Sequence, residues 1–538
     1  MKIQKINSIK FTNLKYIKNK TLTKPNLTPK IDMFCKSNEV IRALNTKFLN
    51  LREDICKELY PLYLAAEETS WNFFINSTDE NLNKMTEASD NYSNFFKNEK
   101  IYNELKKIKP DVLNKYETKQ LKNLLDNFEE ELTLGDELKV LRDKENEIAQ
   151  KYNSYVSTID GKEVSKAEIL KILETETNVE LREKAYNARV LGGDLIAEDL
   201  KEFAKIRNDF AKKRGYSNFF EYKLKESYEV DLKELEKLLD DVYNSSAPLI
   251  KEIVAKNKKE LSDTFNIPVD ELKQYHYGLL TKNNPEKDVN ECFKNKEKIV
   301  EISKKAYLGM GYDIDKLVEE GKIVLDLFPR KGKNTHGFCF TIDAERNARI
   351  LANLTNNANS LDTLNHELGH SIYTLGTSRE LSFLDWDSYP AMTEAVAMMM
   401  GDLQKRENIL ADIVPAQTLE NFKAKFREDE ARFISRSLVF INFEKEMYKN
   451  PEQDLKKLWK DLQIKYAFAN ENEDLNNAWA TIPHYLSHPA YYQNYFRATI
   501  IKAQIYNYLV SQLGNITENK NTAEFLNKNL FKYGSSIF

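Results

Sequence analysis

The chain has 538 residues, 41% hydrophobic and 30% charged. That balance disfavours a disordered or membrane protein, and the length calls for more than one hydrophobic core. Eighty basic residues against 84 acidic ones leave a net charge of −4, which gives no general footprint for nucleic acid. Only 16 Gly and 13 Pro occur, so a turn-rich sandwich, propeller or barrel is disfavoured and long helices are expected.

In chain order, the first 30 residues hold eight lysines and no acid and lack an apolar signal core; residues 1–35 are expected to be a flexible basic extension. From about Asn38 the pattern turns helical. Leu121, Leu124, Leu125, Phe128 and Leu132 share one helical face, and Leu200, Phe203, Ile206 and Phe210 another, with Gly215 as its stop. Between them, Asp160-Gly161 predicts a small hairpin over 155–164, and Ser165 with Glu168 a capping box. Charges alternating in sign over 97–151 read as solvated helix faces. Two strand-like runs, 336–342 and 348–354, are separated by five residues that suit a hairpin loop. No apolar run approaches the roughly 18 residues of a membrane span. Cys35, Cys56, Cys292 and Cys339 are dispersed, which suits a reducing compartment, and a cytoplasmic protein is expected.

Histidine is used sparingly, six times, and its placement is informative. Residues 360–376 predict a helix with Ser360 as cap, Leu361, Leu364, Leu368 and Ile372 as apolar stripe, and Gly376 as stop. On it His366 and His370 stand one turn apart and project together, so both imidazoles can hold one metal ion. Glu367 lies beside them as candidate general base. From this composition only about 0.01 such HExxH matches are expected by chance. A second apolar helix starts at Pro390, and Glu394 is the single acid in its run. A carboxylate there is costly unless paired or metal-bound, so Glu394 is the expected third ligand. His276 and His488 read as structural or exposed.

These residues resemble the gluzincin peptidases, and within them the angiotensin-converting-enzyme family, especially its bacterial relatives. Three blocks carry the likeness: His366-Glu367-Leu368-Gly369-His370 with the glutamate of Thr393-Glu394-Ala395-Val396-Ala397-Met398; the strand from His336-Gly337-Phe338-Cys339, thirty residues before His366; and Trp479 to Tyr485 followed by Ala490 to Tyr495. The related oligoendopeptidase F and thimet oligopeptidase family shares the motif, a distant glutamate and a His-Tyr-Tyr segment.

The resemblance implies a mainly α, elongated, two-lobed helical ellipsoid with a deep central channel and a small β-hairpin or sheet beside the metal. Residues 36–538 would form one domain, with lid helices at about 38–150 and the zinc-binding region at about 330–500. One Zn2+ per chain would be held by His366, His370 and Glu394, with Glu367 as base. Tyr495 would be the oxyanion donor and His484 a second catalytic donor. Tyr492, His336, Gly337 and Phe338 would contact a short peptide substrate, the last three along an added strand. The oligomeric state stays open, with a monomer admissible.

The sequence also departs from that pattern. In angiotensin-converting enzyme an aspartate four residues after the ligand glutamate orients a zinc histidine; here that position is Met398, so Asp385 or Asp387 would have to serve. Asn494 replaces the arginine of its chloride site. No counterpart of its carboxylate-docking lysine stands near Trp479. Both specificities therefore stay open: release of C-terminal dipeptides, or cleavage inside short peptides. A zinc-bearing but inactive binding protein is the reading from another class.

Overall fold

The computed structural model describes residues 31–534 apart from 282, 335, 380–383, 385–388 and 474–475, with backbone alone at 31–44 and 167. It is mainly α with two small sheets, as the composition requires. Four long helices dominate the first half: Ile31–Ile75, Lys115–Asn153, Val179–Lys213 and Leu232–Phe265. Their starts are chemically marked. Asn114 and Glu117 form a reciprocal capping box, and Asn178 and Asp231 accept backbone N–H groups of the next two, each cap stabilising by about 1 kcal/mol. Residues 1–30 of the expected extension lie outside the described residues. The first helix begins at Ile31, so the expected boundary at residue 35 falls inside it.

The local expectations largely hold. Thr158–Ile159 pairs antiparallel with Lys162–Glu163 across Asp160 and Gly161, both at positive φ. Ser165 and Glu168 close a capping box, and Gly215, at φ 84°, follows the helix end. Leu121, Leu124 and Phe128 are buried, while exposed pairs such as Lys139–Asp143 at 2.9 Å lace the outer face.

Two large apolar cores organise the rest. One gathers side chains of the Val179–Lys213, Leu232–Phe265 and Phe426–Lys449 helices around Trp479 and Tyr485. The other packs the Ala358–Gly376 and Pro390–Gly401 helices under a three-stranded sheet. The Tyr492–Leu513 helix spans both, with Phe496 buried in the first core and Leu509 in the second. Each fully buried Leu or Phe contributes about 1.5–3 kcal/mol, so this helix fixes the two cores relative to each other. Among the described residues no helix is long and apolar enough to cross a membrane.

The expected hairpin is present as Phe338–Thr341 antiparallel to Ala348–Leu351. A strand absent from the sequence reading, Ile323–Asp326, pairs parallel with Ala348–Leu351 on its other side. Phe338–Thr341 is therefore an edge strand. The Ile31–Ile75 helix covers one face of it: Phe74 meets Phe338 edge to face at 5.0 Å, Trp71 meets Phe340 at 5.7 Å, and Glu68 holds Arg349 through both oxygens.

Candidate metal centre

The Ala358–Gly376 helix carries the two histidines. Its cap is Asn357, whose side chain accepts the Ser360 N–H at 2.8 Å; the expected cap, Ser360, lies inside the helix and accepts the Thr355 N–H instead. Asparagine is as strong a cap as serine, and it stands three residues earlier, where the chain leaves the sheet. The Pro390–Gly401 helix starts with proline at its first turn, where the missing N–H costs nothing.

The two helices approach closely because Gly369 lacks a side chain. A Cβ on Gly369 would stand 2.8 Å from the Ala397 Cα. This contact brings the three expected ligands together: the Nε2 atoms of His366 and His370 lie 3.2 Å apart, and Glu394 Oε2 lies 3.5 and 3.8 Å from them. They form the one group among the described residues that could hold a metal ion.

Electrostatics fit that role. Burial holds His370 down to about 4, and burial with the neighbouring His370 and Lys502 holds His366 well below the usual imidazole range, so both imidazoles are neutral near pH 7, the form a metal needs. Glu394 is pushed up to about 7 by burial. Its Oε1 accepts the Tyr491 hydroxyl at 2.8 Å, and its Oε2 is buried without a hydrogen-bond partner. An unpartnered buried carboxylate oxygen beside two neutral imidazoles is what a divalent cation satisfies.

Glu367 is buried, and burial together with Glu394 pushes its carboxyl up to about 8. It lies against the edge strand: a Cβ on Gly337 would stand 2.9 Å from Glu367 Oε1. Any larger residue at 337 would push the Glu367 carboxylate and the Thr363 methyl aside.

The strand register shows which backbone groups of the hairpin are free to pair outward. Phe338 pairs with Leu351 and Phe340 with Arg349, and the Ile342 N–H donates to the Asn347 carbonyl. By antiparallel alternation the backbone groups of Phe338 and Phe340 face the neighbouring strand, and those of Gly337 and Cys339 face the open edge. The Thr341 carbonyl on that edge accepts the Tyr63 hydroxyl at 2.9 Å. Of the three residues expected to pair with a peptide, Gly337 offers its backbone. His336 spends its N–H on Asn334 Oδ1 at 2.9 Å, and the backbone of Phe338 faces the neighbouring strand while its ring packs against Phe74.

Tyr495, Tyr492 and His484 form one aromatic wall. His484 lies 4.7 Å from Tyr492 and 5.8 Å from Tyr495 between ring centroids, and Tyr492 lies 5.6 Å from Tyr495. Burial, then Glu394, Tyr492 and Glu367, raise the Tyr495 phenol well above its usual value, so its hydroxyl stays neutral. His484 is held down to about 4 by burial, His488 and His336, and its Nδ1 is buried without a partner. Desolvation by the protein around it, then Lys166, lower the pKa of His336. His276 is buried and structural, its Nδ1 accepting the Lys273 N–H at 2.8 Å. His488 is exposed.

Several supporting residues escape a reading of spacing. Asp385 and Asp387 lie outside the described residues, and the hydrogen bond to Glu394 comes from Tyr491. Buried Arg207 donates to the carbonyls of Tyr485 and Leu486 and to the Tyr448 hydroxyl, fixing the turn that carries His484. Glu444 accepts the Ala490 N–H at 2.7 Å where Ala490 takes a left-handed φ of 59°. Lys502 joins Asp402 and Glu430, each at 2.8 Å, tying the tyrosine helix to the end of the Pro390–Gly401 helix. No sequence signal marks these contacts, which join positions far apart in the chain.

A family model described as "Peptidase family M3" matches residues 172–537, more than half of the chain and all of the site above. A model described as "Angiotensin-converting enzyme" matches residues 43–275. The protein named "Oligopeptidase PepF" from Bacillus subtilis (strain 168) is 23% identical over 364 residues, covering 64% of this chain and 52% of that relative. The chain thus spans about half the length of the curated relative it matches.

Proposed function

Because the chain belongs to peptidase family M3, we propose that it is a zinc metallopeptidase that cuts inside short, unfolded peptides. The observation that carries the reading is the buried, unpartnered Glu394 Oε2 facing two neutral imidazoles with Glu367 beside them. His366, His370 and Glu394 would hold the zinc ion, which when bound supplies a Lewis acid that polarises the scissile carbonyl and acidifies water.

The chain's own residues account for the rest. An extended peptide pairs along the open edge at Gly337 and Cys339, so backbone rather than side chains gives affinity and sequence preference is loose. That edge runs past Glu367, whose carboxyl, drawn down from about 8 to the ionised form by a cation bound beside it, takes the proton of the attacking water and passes it to the leaving amine. The Tyr495 hydroxyl donates to the oxyanion as it forms, with His484, its Nδ1 unpaired, as second donor. Tyr492 flanks the peptide, and the Phe338 ring, packed on Phe74, braces the strand that the peptide pairs with. Walls of helix around this edge would form a channel closed to folded proteins.

Internal cleavage is favoured over dipeptide release by the absence of a docking lysine near Trp479 and by the likeness to an oligopeptidase. Mass spectrometry of products from a mixed peptide library, with and without a chelator, tests this. Chelator-sensitive cuts at interior bonds are expected. Dipeptides alone from the C-terminus would favour the angiotensin-converting-enzyme mode, and rapid digestion of folded proteins would refute the channel.

Tyr495→Phe removes one hydroxyl that bonds only the developing oxyanion. It is expected to lower kcat on the order of 100-fold with little change in KM. Steady-state kinetics on a quenched peptide check this, and a change in KM alone would move Tyr495 to substrate binding.

A further inference from the structure

A glutamate ligand on a helix has free χ torsions, and either oxygen can turn toward a cation unless something holds the carboxylate. In this chain the position one turn beyond Glu394 is Met398, which can hold nothing by hydrogen bonding. The Tyr491 hydroxyl occupies that role from 97 residues away, donating to Glu394 Oε1 at 2.8 Å. The other oxygen, Oε2, is left buried, unpartnered and 3.5 and 3.8 Å from the two histidine Nε2 atoms.

We propose that Tyr491 is a positioning residue for the metal site: its hydroxyl occupies Glu394 Oε1, so that Oε2 alone is presented to the ion. The inference rests on the reading that His366, His370 and Glu394 hold zinc.

Tyr491 is itself held from three sides, as a positioning group must be. It immediately precedes the Tyr492–Leu513 helix. The residue before it, Ala490, keeps a left-handed φ of 59° while its N–H is held by Glu444 at 2.7 Å. Its ring meets Tyr495 at 5.1 Å and Tyr228 at 6.0 Å, both edge to face, and the Tyr228 hydroxyl donates to the Pro489 carbonyl at 3.2 Å. Tyr491 also joins ligand to catalytic wall: the helix that begins beside it carries Tyr495 one turn on, so carboxylate and oxyanion donor share one frame.

The test uses zinc chloride titrated into the metal-free full chain against a competing chelator, so it reads affinity rather than turnover. Tyr491→Phe should raise the zinc Kd by about 10- to 100-fold, the usual cost of losing such a partner, and should shift the absorption bands of the cobalt(II)-loaded protein. In a Glu394→Ala background the same change should weaken zinc no further, because its target is gone. A Kd within about twofold of wild type would overturn the proposal. So would losses that simply add in the double variant, the mark of a general packing role. If the wild-type chain bound no zinc, the metal reading itself would fall, a result distinct from equal binding by wild type and Tyr491→Phe.

Discussion

Glu367→Gln is expected to lower peptide hydrolysis on the order of 1,000-fold while zinc content per chain stays at the wild-type level. The size is that of a lost general base. The amide keeps the shape of the side chain and its place against Gly337, but it cannot accept the proton of the attacking water. Retained metal follows because Glu367 is not among the three groups whose ligand atoms converge. Glu394→Ala is the contrasting case: His366 and His370 alone should hold zinc only weakly, so the metal content of the purified chain and its activity should fall together. Turnover of a quenched peptide and metal analysis on the same samples check both. Turnover of Glu367→Gln within about tenfold of wild type, short of the smallest general-base effect, would assign the base elsewhere.

The metal group was legible because it obeys local rules. Two histidines four apart on one helical face need no tertiary information to be brought together, and an acid inside an apolar helix announces a partner. The mainly helical architecture followed from scarce Gly and Pro for a similar reason. What stayed hidden depends on contacts across the chain. The Ile323–Asp326 strand has only four residues, and its pairing partner, Ala348–Leu351, lies beyond the edge strand in sequence; so short an apolar run carries no period to read. Tyr491 is one of 28 tyrosines and is distinguished only by what its hydroxyl reaches. Phe338 against Gly337 was decided by one step of strand alternation, which no side-chain pattern fixes in an edge strand half buried throughout. The helix cap moved from Ser360 to Asn357 because either side chain can cap, and the sheet exit decides which one stands at the turn.

Gly369 stands between His366 and His370 in the sequence and faces the Pro390–Gly401 helix, and its replacement is expected to impair the site as a whole. In Gly369→Ala the new Cβ meets the Ala397 Cα at 2.8 Å and Met400 side-chain atoms at 3.2 Å. The first is backbone of the helix that carries Glu394, so it cannot be relieved by a rotamer change; the Pro390–Gly401 helix must retreat. Alanine favours helix over glycine by up to about 1 kcal/mol, but forcing a methyl group into a closed contact costs about 1–3 kcal/mol. The retreat separates Glu394 Oε2 from both imidazoles, and zinc tolerates ligand displacements of only about 0.2 Å. A strain of that size, recovered whenever the helices part and the ion is lost, corresponds to zinc binding weakened by about 5- to 150-fold. The measurement is the zinc Kd of Gly369→Ala against wild type, with far-ultraviolet circular dichroism to show that helix content is kept. Unchanged affinity would mean that the two helices can slide past each other at Gly369 without moving Glu394, and that their close contact there is not what sets the metal site.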